Sequence, residues 1–245
     1  MRDPGPFRRL DPFTGLMNRF DGILRDAKKE PGKDGPKGAE ETPKAKLKAT
    51  EADSARATKK ATPAQAKEIN DLLARAQKHF NSPTAADVKE VEAGSKAAQR
   101  AVDLAVKYYG IDATHASRVV YTWGEARAGG HTDKDRVVHI YTAALTDAPF
   151  LAATLVHEVT HANQVKLHGY NEGTNRNLVS QNNSAREVMG YQAALSSADV
   201  IGLSADQKKW YADKVEMYTN DLSKENRKLF DGGQYWDMKA GQPGE

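Results

Sequence analysis

Cysteine is absent from the 245 residues, which excludes disulfide staples, thiolate zinc knuckles and a cysteine nucleophile together. Any metal held by this chain must therefore sit on nitrogen and oxygen donors. Long apolar runs are missing as well. No stretch approaches the roughly 20 residues that span a bilayer, and the opening MRDPGPFRRLDPFTGLMNRF puts charge and proline where an export signal needs an unbroken apolar core. The chain is expected to have no membrane span and no visible signal peptide, and could be a segment of a longer polypeptide with Met1 added to start it. A net positive excess is missing beyond the first quarter. Residues 1–62 carry 15 Lys/Arg against 10 Asp/Glu, whereas residues 63–245 carry 21 against 23. A slightly acidic folded part lacks the dense positive face that releases counterions from nucleic acid, so nucleic acid is not an expected partner.

What is present divides the chain into four parts. Residues 28–63 are rich in Lys, Glu, Ala, Pro and Gly and nearly empty of large apolar side chains. Such a segment cannot bury enough surface to offset its ordering entropy, so 1–62 reads as a largely disordered basic leader. Residues 63–110 read as an N-terminal helical region. Thr62-Pro63 starts one helix, with Ile69, Leu72, Leu73, Ala76 and Phe80 at helical spacing; Ser82-Pro83 starts a second, with a possible break near Gly94-Ser95. Residues 111–230 read as the chemical domain, and 231–245 as a flexible tail. Within that domain the β-rich runs 119–123 and 137–142 flank a Gly-rich connection and read as an antiparallel pair. Thr146-Asp147-Ala148-Pro149 caps a third helix reaching to about Leu167. A polar loop, 169–183, leads to a fourth helix from Ser184 and a fifth from Ser204 to about Leu229. The expected class is α+β, mostly helical, with a small antiparallel sheet beside the third helix.

That third helix contains LVHEVTHANQ, residues 155–164. Positions four apart on a helix differ by about 40° around the axis and about 6 Å along it, so His157 and His161 can share one ion. Each imidazole can give a nitrogen to zinc at about 2.0–2.1 Å. Glu158 is rotated by about 100° from His157, outside the ordinary ligand position yet near enough to take a proton from water activated there. Zinc acidifies water toward pKa ~7 and polarises a carbonyl, while the neighbouring carboxylate serves as base and then returns the proton to a leaving amine. The competing reading, satisfied core or surface histidines, must explain why polar groups sit among Leu151, Ala152, Leu155, Val156, Val159 and Ala162; unpaired, they would be costly there.

Several residues compete to be the third ligand. His168 lies about 10 Å beyond His161 if the helix continues, and Glu172 lies in the loop. Glu187 follows His161 by 26 residues on the next helix. It is the stronger candidate, although "SARE" also reads as a capping box in which Ser184 is the N-cap and Glu187 reaches back to the backbone. Tyr191, one turn further, could hydrogen-bond an oxyanion, orient Glu187 or be a plain core tyrosine. The run 137–142 could pair with an extended peptide by strand addition.

The residues HEVTHANQ and EVMGYQAA resemble the zincin metallopeptidases of the gluzincin type, whose H-E-x-x-H is completed by a glutamate on a following helix. They resemble more narrowly the small metallopeptidase domains of bacterial polymorphic toxins and contractile-injection effectors, in which H-E-L-T-H-x-x-Q precedes a Glu-x-x-x-Tyr helix. The metzincin pattern fails, because position 164 is Gln164 and position 167 is Leu167. The likeness covers about residues 117–200. It implies a zincin-like fold and peptide-bond hydrolysis, with zinc on His157, His161 and Glu187, Glu158 as base and Tyr191 assisting. RDPGPFRRLDPFTGL is similar to the Asp-Pro motif that precedes the variable C-terminal toxin of Rhs-type proteins, with one extra residue in the motif. That likeness implies a toxin domain exported by a specialised secretion system, acting on a protein or peptide substrate in a target cell, and a possible immunity protein as partner. Two other expectations stay open: a non-catalytic, zinc-stabilised binding module, and a zinc amidase acting on peptidoglycan peptides.

Overall fold

The computed structural model describes residues 54–81, 88–123, 128–169 and 176–231. All of them belong to the unit Ala45–Glu245; the chain's other unit, Met1–Lys44, lies outside the described residues, as does the tail after Asp231. The Asp-Pro motif of the leader falls there too.

Two helices come first. In α1 (Pro63–Phe80), Thr62 Oγ1 accepts from the Gln65 amide while the Gln65 side chain returns to the Thr62 N–H, a reciprocal cap with Pro63 in the first turn. Ile69, Leu73 and Ala76 form its buried stripe. The second helix, α2 (Val88–Tyr109), runs against α1 with opposite sense: His79 meets Glu90 at 2.7 Å at one end, and Tyr108 Oη donates to Glu68 at 2.8 Å at the other. The expected break near Gly94 does not occur. A β-carbon there would lie 2.6 Å from Phe80 Cε1, so this glycine serves close helix contact and not helix termination.

The sheet holds three strands: β1 (Arg118–Tyr121), β2 (Gly130–Thr132) and β3 (Val137–Ile140), in the order β1-β3-β2. It is mixed, which corrects the antiparallel expectation. The two β-rich runs are parallel, with Arg118 opposite Val137 and Tyr121 opposite Ile140. The Gly-rich connection supplies the antiparallel partner instead, with Gly130 opposite Ile140 and Thr132 opposite Val138. The tight turn 133–136 decides this, because Asp133 Oδ1 accepts from the amides of Asp135 (2.9 Å) and Val137 (2.8 Å) and commits β3 to fold back on β2. β3 is consequently the middle strand and has no edge to offer a peptide. The outer edge of β1 is occupied by the Gln99 side chain, which donates to Val119 O and accepts from the Tyr121 amide. Among the described residues nothing pairs with the outer edge of β2.

At the centre lies α3 (Ala148–His168). Asp147 caps it by accepting from the Phe150 amide at 2.8 Å; Asn70 of α1 takes the Ala148 N–H, and Gln207 donates to the second Asp147 oxygen. The helix is buried nearly all round from Ala148 to Val165, its apolar residues lying on every face with the polar ones of the motif buried among them. It contacts α1, α2, β2 and β3.

Next comes α4 (Arg176–Ser196), which starts eight residues before the expected Ser184. A short α5 (Ala198–Ile201) leads to α6 (Ala205–Asn220), capped reciprocally by Ser204 and Gln207. The expected single last helix is two: it divides after Asn220, and α7 (Lys224–Asp231) begins where Ser223 Oγ accepts from the Asn226 amide. The division lets Leu222 and Phe230 both bury against Ala185, Val188 and Met189 of α4.

The leader also ends sooner than expected. Residues 54–59 form a strap on the domain: the Ala55 amide donates to Thr160 Oγ1 and the Ala57 amide to Ser197 Oγ, both at 3.1 Å, and Ala57 bridges to Ile111. Ala55 and Ala57 are buried. Small side chains hid this docking, because alanine gives no apolar signal comparable with leucine. A chain beginning at residue 62 should be less stable than one beginning at 54 by about 3–5 kcal/mol, up to about 1 for each hydrogen bond the strap makes: those of the Ala55 and Ala57 amides, those of the Thr58 and Lys59 amides that share Tyr109 O, and that of Thr58 Oγ1 to Gly110 O. Urea denaturation of the two chains measures it.

Candidate metal centre

The two histidines of α3 converge as their spacing requires. His157 Nε2 and His161 Nε2 are 3.0 Å apart, and α4 brings Glu187 to face both, with one carboxylate oxygen 3.4 Å from His157 Nε2 and the other 3.5 Å from His161 Nε2. These three form the one group among the described residues able to hold a metal ion, their donor atoms all lying within 4.8 Å of one another. Tetrahedral bonds of about 2.0–2.1 Å place ligand atoms about 3.3 Å apart; the two imidazole nitrogens stand at 3.0 Å, and each has a different Glu187 oxygen at 3.4 or 3.5 Å, so a carboxylate facing both rings is within reach of an ion between them.

Glu187 is not a cap. Because α4 begins at Arg176, Ser184 lies inside the helix and is itself buried, so no free helix end exists there for "SARE" to satisfy. Of the other candidates, His168 is exposed at the last residue of α3 and does not join; Glu172 lies outside the described residues.

Charge explains why an ion suits this place. Burial pulls the His161 imidazolium down, but the facing Glu187 carboxylate outweighs it and raises the pKa to about 9. Burial pushes Glu187 up, and the two imidazoles overcome it, holding the carboxyl well below the usual carboxylate range. The trio thus favours one added positive charge, which a proton or a metal ion can supply.

The second layer is specific. Gln164, fully buried, sends its amide nitrogen toward Met189 Sδ and its carbonyl to His161 Nδ1 at 2.9 Å. A carbonyl only accepts, so Nδ1 carries the proton and Nε2 keeps its lone pair for a metal. His157 is held by shape. Its Nδ1 is buried without a partner, and its ring lies flush on Gly190, where a β-carbon would come within 2.8 Å of both Cε1 and Nδ1. Gly190→Ala should lower metal affinity about 10- to 100-fold, the cost typical of disturbing a ligand's support, although alanine favours a helix by about 1 kcal/mol. Competition with a chromophoric chelator measures the first effect, thermal unfolding of metal-free protein the second.

Glu158 stays out of the trio and points toward the sheet. Thr132 Oγ1 lies 2.8 Å from the Glu158 backbone oxygen and 3.1 Å from Oε2. A β-carbon at Gly130 would fall 2.6 Å from Glu158 Cγ. Tyr191 stands over His157 with ring centroids 4.3 Å apart and stacks on Tyr218 at 5.7 Å; Trp210 and Tyr211 of α6 close the same aromatic wall. Burial, then the Glu187 charge, raises the Tyr191 phenol well above its ordinary value, so it keeps its proton.

His157, His161, Glu187, Glu158 and Tyr191, the residues expected from the sequence, lie in one region of the fold. Gln164, Gly130, Thr132, Gly190 and the α6 aromatics join them without having been expected. A signal existed for Gln164, three residues after His161 in the quoted motif; for the two glycines none did, because their partners come from other elements. No family model, curated protein or solved structure matches this chain.

Proposed function

We propose that the protein is a zinc-dependent endopeptidase. The observation that carries this is the convergence of His157, His161 and Glu187 from two helices with Glu158 beside them but outside the donor set. His157, His161 and Glu187 would hold the zinc, an arrangement of three protein ligands that suits a catalytic site better than a closed structural one. When bound, zinc supplies a Lewis acid that polarises a carbonyl and acidifies water. Glu158 takes the proton from the attacking water and hands it to the departing amine. Tyr191, kept protonated, donates a hydrogen bond toward the charge that develops on the carbonyl oxygen.

The β2 edge is where an extended substrate pairs. It is the edge left open among the described residues, and the inner face of the same strand abuts Glu158 through Gly130 and Thr132. This moves the peptide-pairing role from the 137–142 run to residues 130–132. The leader motif and the HEVTHANQ likeness favour a toxin domain delivered into a target cell, with an immunity protein as its natural inhibitor.

The reading is tested by incubating purified zinc-loaded protein with a lysate, with and without a chelator, and mapping new peptide termini. New internal termini that vanish with chelator and return with zinc support it. A protein that holds no metal after resupply, or one that cuts nothing while fully loaded, removes it.

A further inference from the structure

The contact between Thr132 and Glu158 carries a role that the sequence did not disclose. Both residues are buried, so bulk solvent competes little for the contact between them. The threonine hydroxyl has one proton and faces two acceptors, the Glu158 backbone oxygen at 2.8 Å and Oε2 of the same residue at 3.1 Å. It can satisfy only one by donation at a time. With Glu158 ionised, the best use of that proton is toward the carboxylate, since a bond to a charged acceptor is the stronger one. With Glu158 protonated on Oε2, the directions reverse. The carboxyl O–H donates to Thr132 Oγ1, and the threonine proton turns to the Glu158 backbone oxygen. In both states Thr132 Oγ1 and Glu158 Oε2 stay paired with each other.

We propose that Thr132 is the positioning residue of Glu158, a hydroxyl rotor that serves the base in both protonation states, with Gly130 giving the carboxylate room to stay beside it. This rests on the endopeptidase reading for its catalytic consequence. In the proton cycle, Glu158 removes a proton from water and keeps it on Oε2 against Thr132 Oγ1. It then releases that proton to the leaving nitrogen while the threonine O–H swings back to Oε2. No other proton or electron is required. Gly130 fits the same account: a methyl group in place of its hydrogen would collide with Glu158 Cγ, Cδ and Oε1, at 2.6 to 2.9 Å. It would drive the carboxylate off the position that Thr132 defines.

Thr132→Val keeps the shape of the side chain and removes the rotor, whereas Thr132→Ser keeps the hydroxyl. The expected result in the full chain is a kcat about 10- to 100-fold lower for valine, with KM and metal content unchanged, and recovery of most of the loss for serine. A readout independent of hydrolysis comes from metal-free protein carrying carboxyl-labelled glutamate. The resonance that disappears in Glu158→Gln should shift in Thr132→Val and return in Thr132→Ser. Should the valine variant fold poorly, Gly130→Ala substitutes for it and should likewise lower kcat with metal retained. A valine or alanine variant that matches the wild type in both kcat and resonance overturns the proposal. If wild type cleaves nothing, the endopeptidase reading falls, and the resonance alone still decides whether Thr132 governs Glu158.

Discussion

Glu158→Gln should keep its full complement of zinc and lose hydrolysis by about 10²- to 10⁴-fold, the range expected when a positioned base is removed. The two halves of that result are separable because Glu158 is not a donor in the trio of His157, His161 and Glu187 and rests against Gly130 and Thr132. Glutamine has nearly the same volume, so the packing against the sheet survives, and its neutral amide cannot take the proton. Elemental analysis and peptide cleavage, measured on the same preparation, check both halves. Equal activity of the two proteins would favour a binding module, since a site that only stabilises the fold needs no base. Equal zinc with lost cleavage is the outcome that separates catalysis from scaffolding.

The second large effect belongs to Glu187. Glu187→Ala should reduce bound metal to background and abolish hydrolysis with it, because two imidazoles alone leave the site short of a protein donor. A lost cap would behave differently, costing about 1 kcal/mol of stability and leaving metal intact. The structure separates the alternatives in advance, since α4 begins at Arg176 and runs through Ser184 without a terminus. Removing the carboxylate also leaves His157 and His161 facing each other at 3.0 Å without the anion that stabilises charge between them. His161 should then titrate lower than about 9, which proton resonances of its ring in metal-free protein would report.

The helix that carries the two candidate histidine ligands was legible because its information is local. His157 and His161 are related by helical spacing alone, the apolar run marks burial, and Asp147-Ala148-Pro149 marks the start. Glu187 was only half legible. Its identity as ligand or cap turns on where α4 begins, and the Asn-rich stretch before Ser184 looks like loop although the chain is already helical from Arg176. Strand direction was not legible. The runs at 119–123 and 137–142 announce strands, but parallel pairing was set by Asp133 in the turn and by a three-residue strand too short to show a pattern. The strap at 54–59 was hidden for a related reason: its hold comes mostly from backbone amides, those of Ala55 and Ala57 reaching Thr160 and Ser197 and those of Thr58 and Lys59 reaching Tyr109 O, and backbone groups leave no trace in residue type. Gly130 and Gly190 act by what they lack, which is visible only once Glu158 and His157 are seen against them.

Gln99 imposes a limit that reaches beyond the single chain. Its amide takes one carbonyl and one N–H along the rim of β1, two of the groups a neighbouring molecule would need in order to attach there. Endless stacking of sheets requires an acceptor rim on both sides of every unit. With that rim stoppered, sheet-to-sheet extension through β1 is blocked.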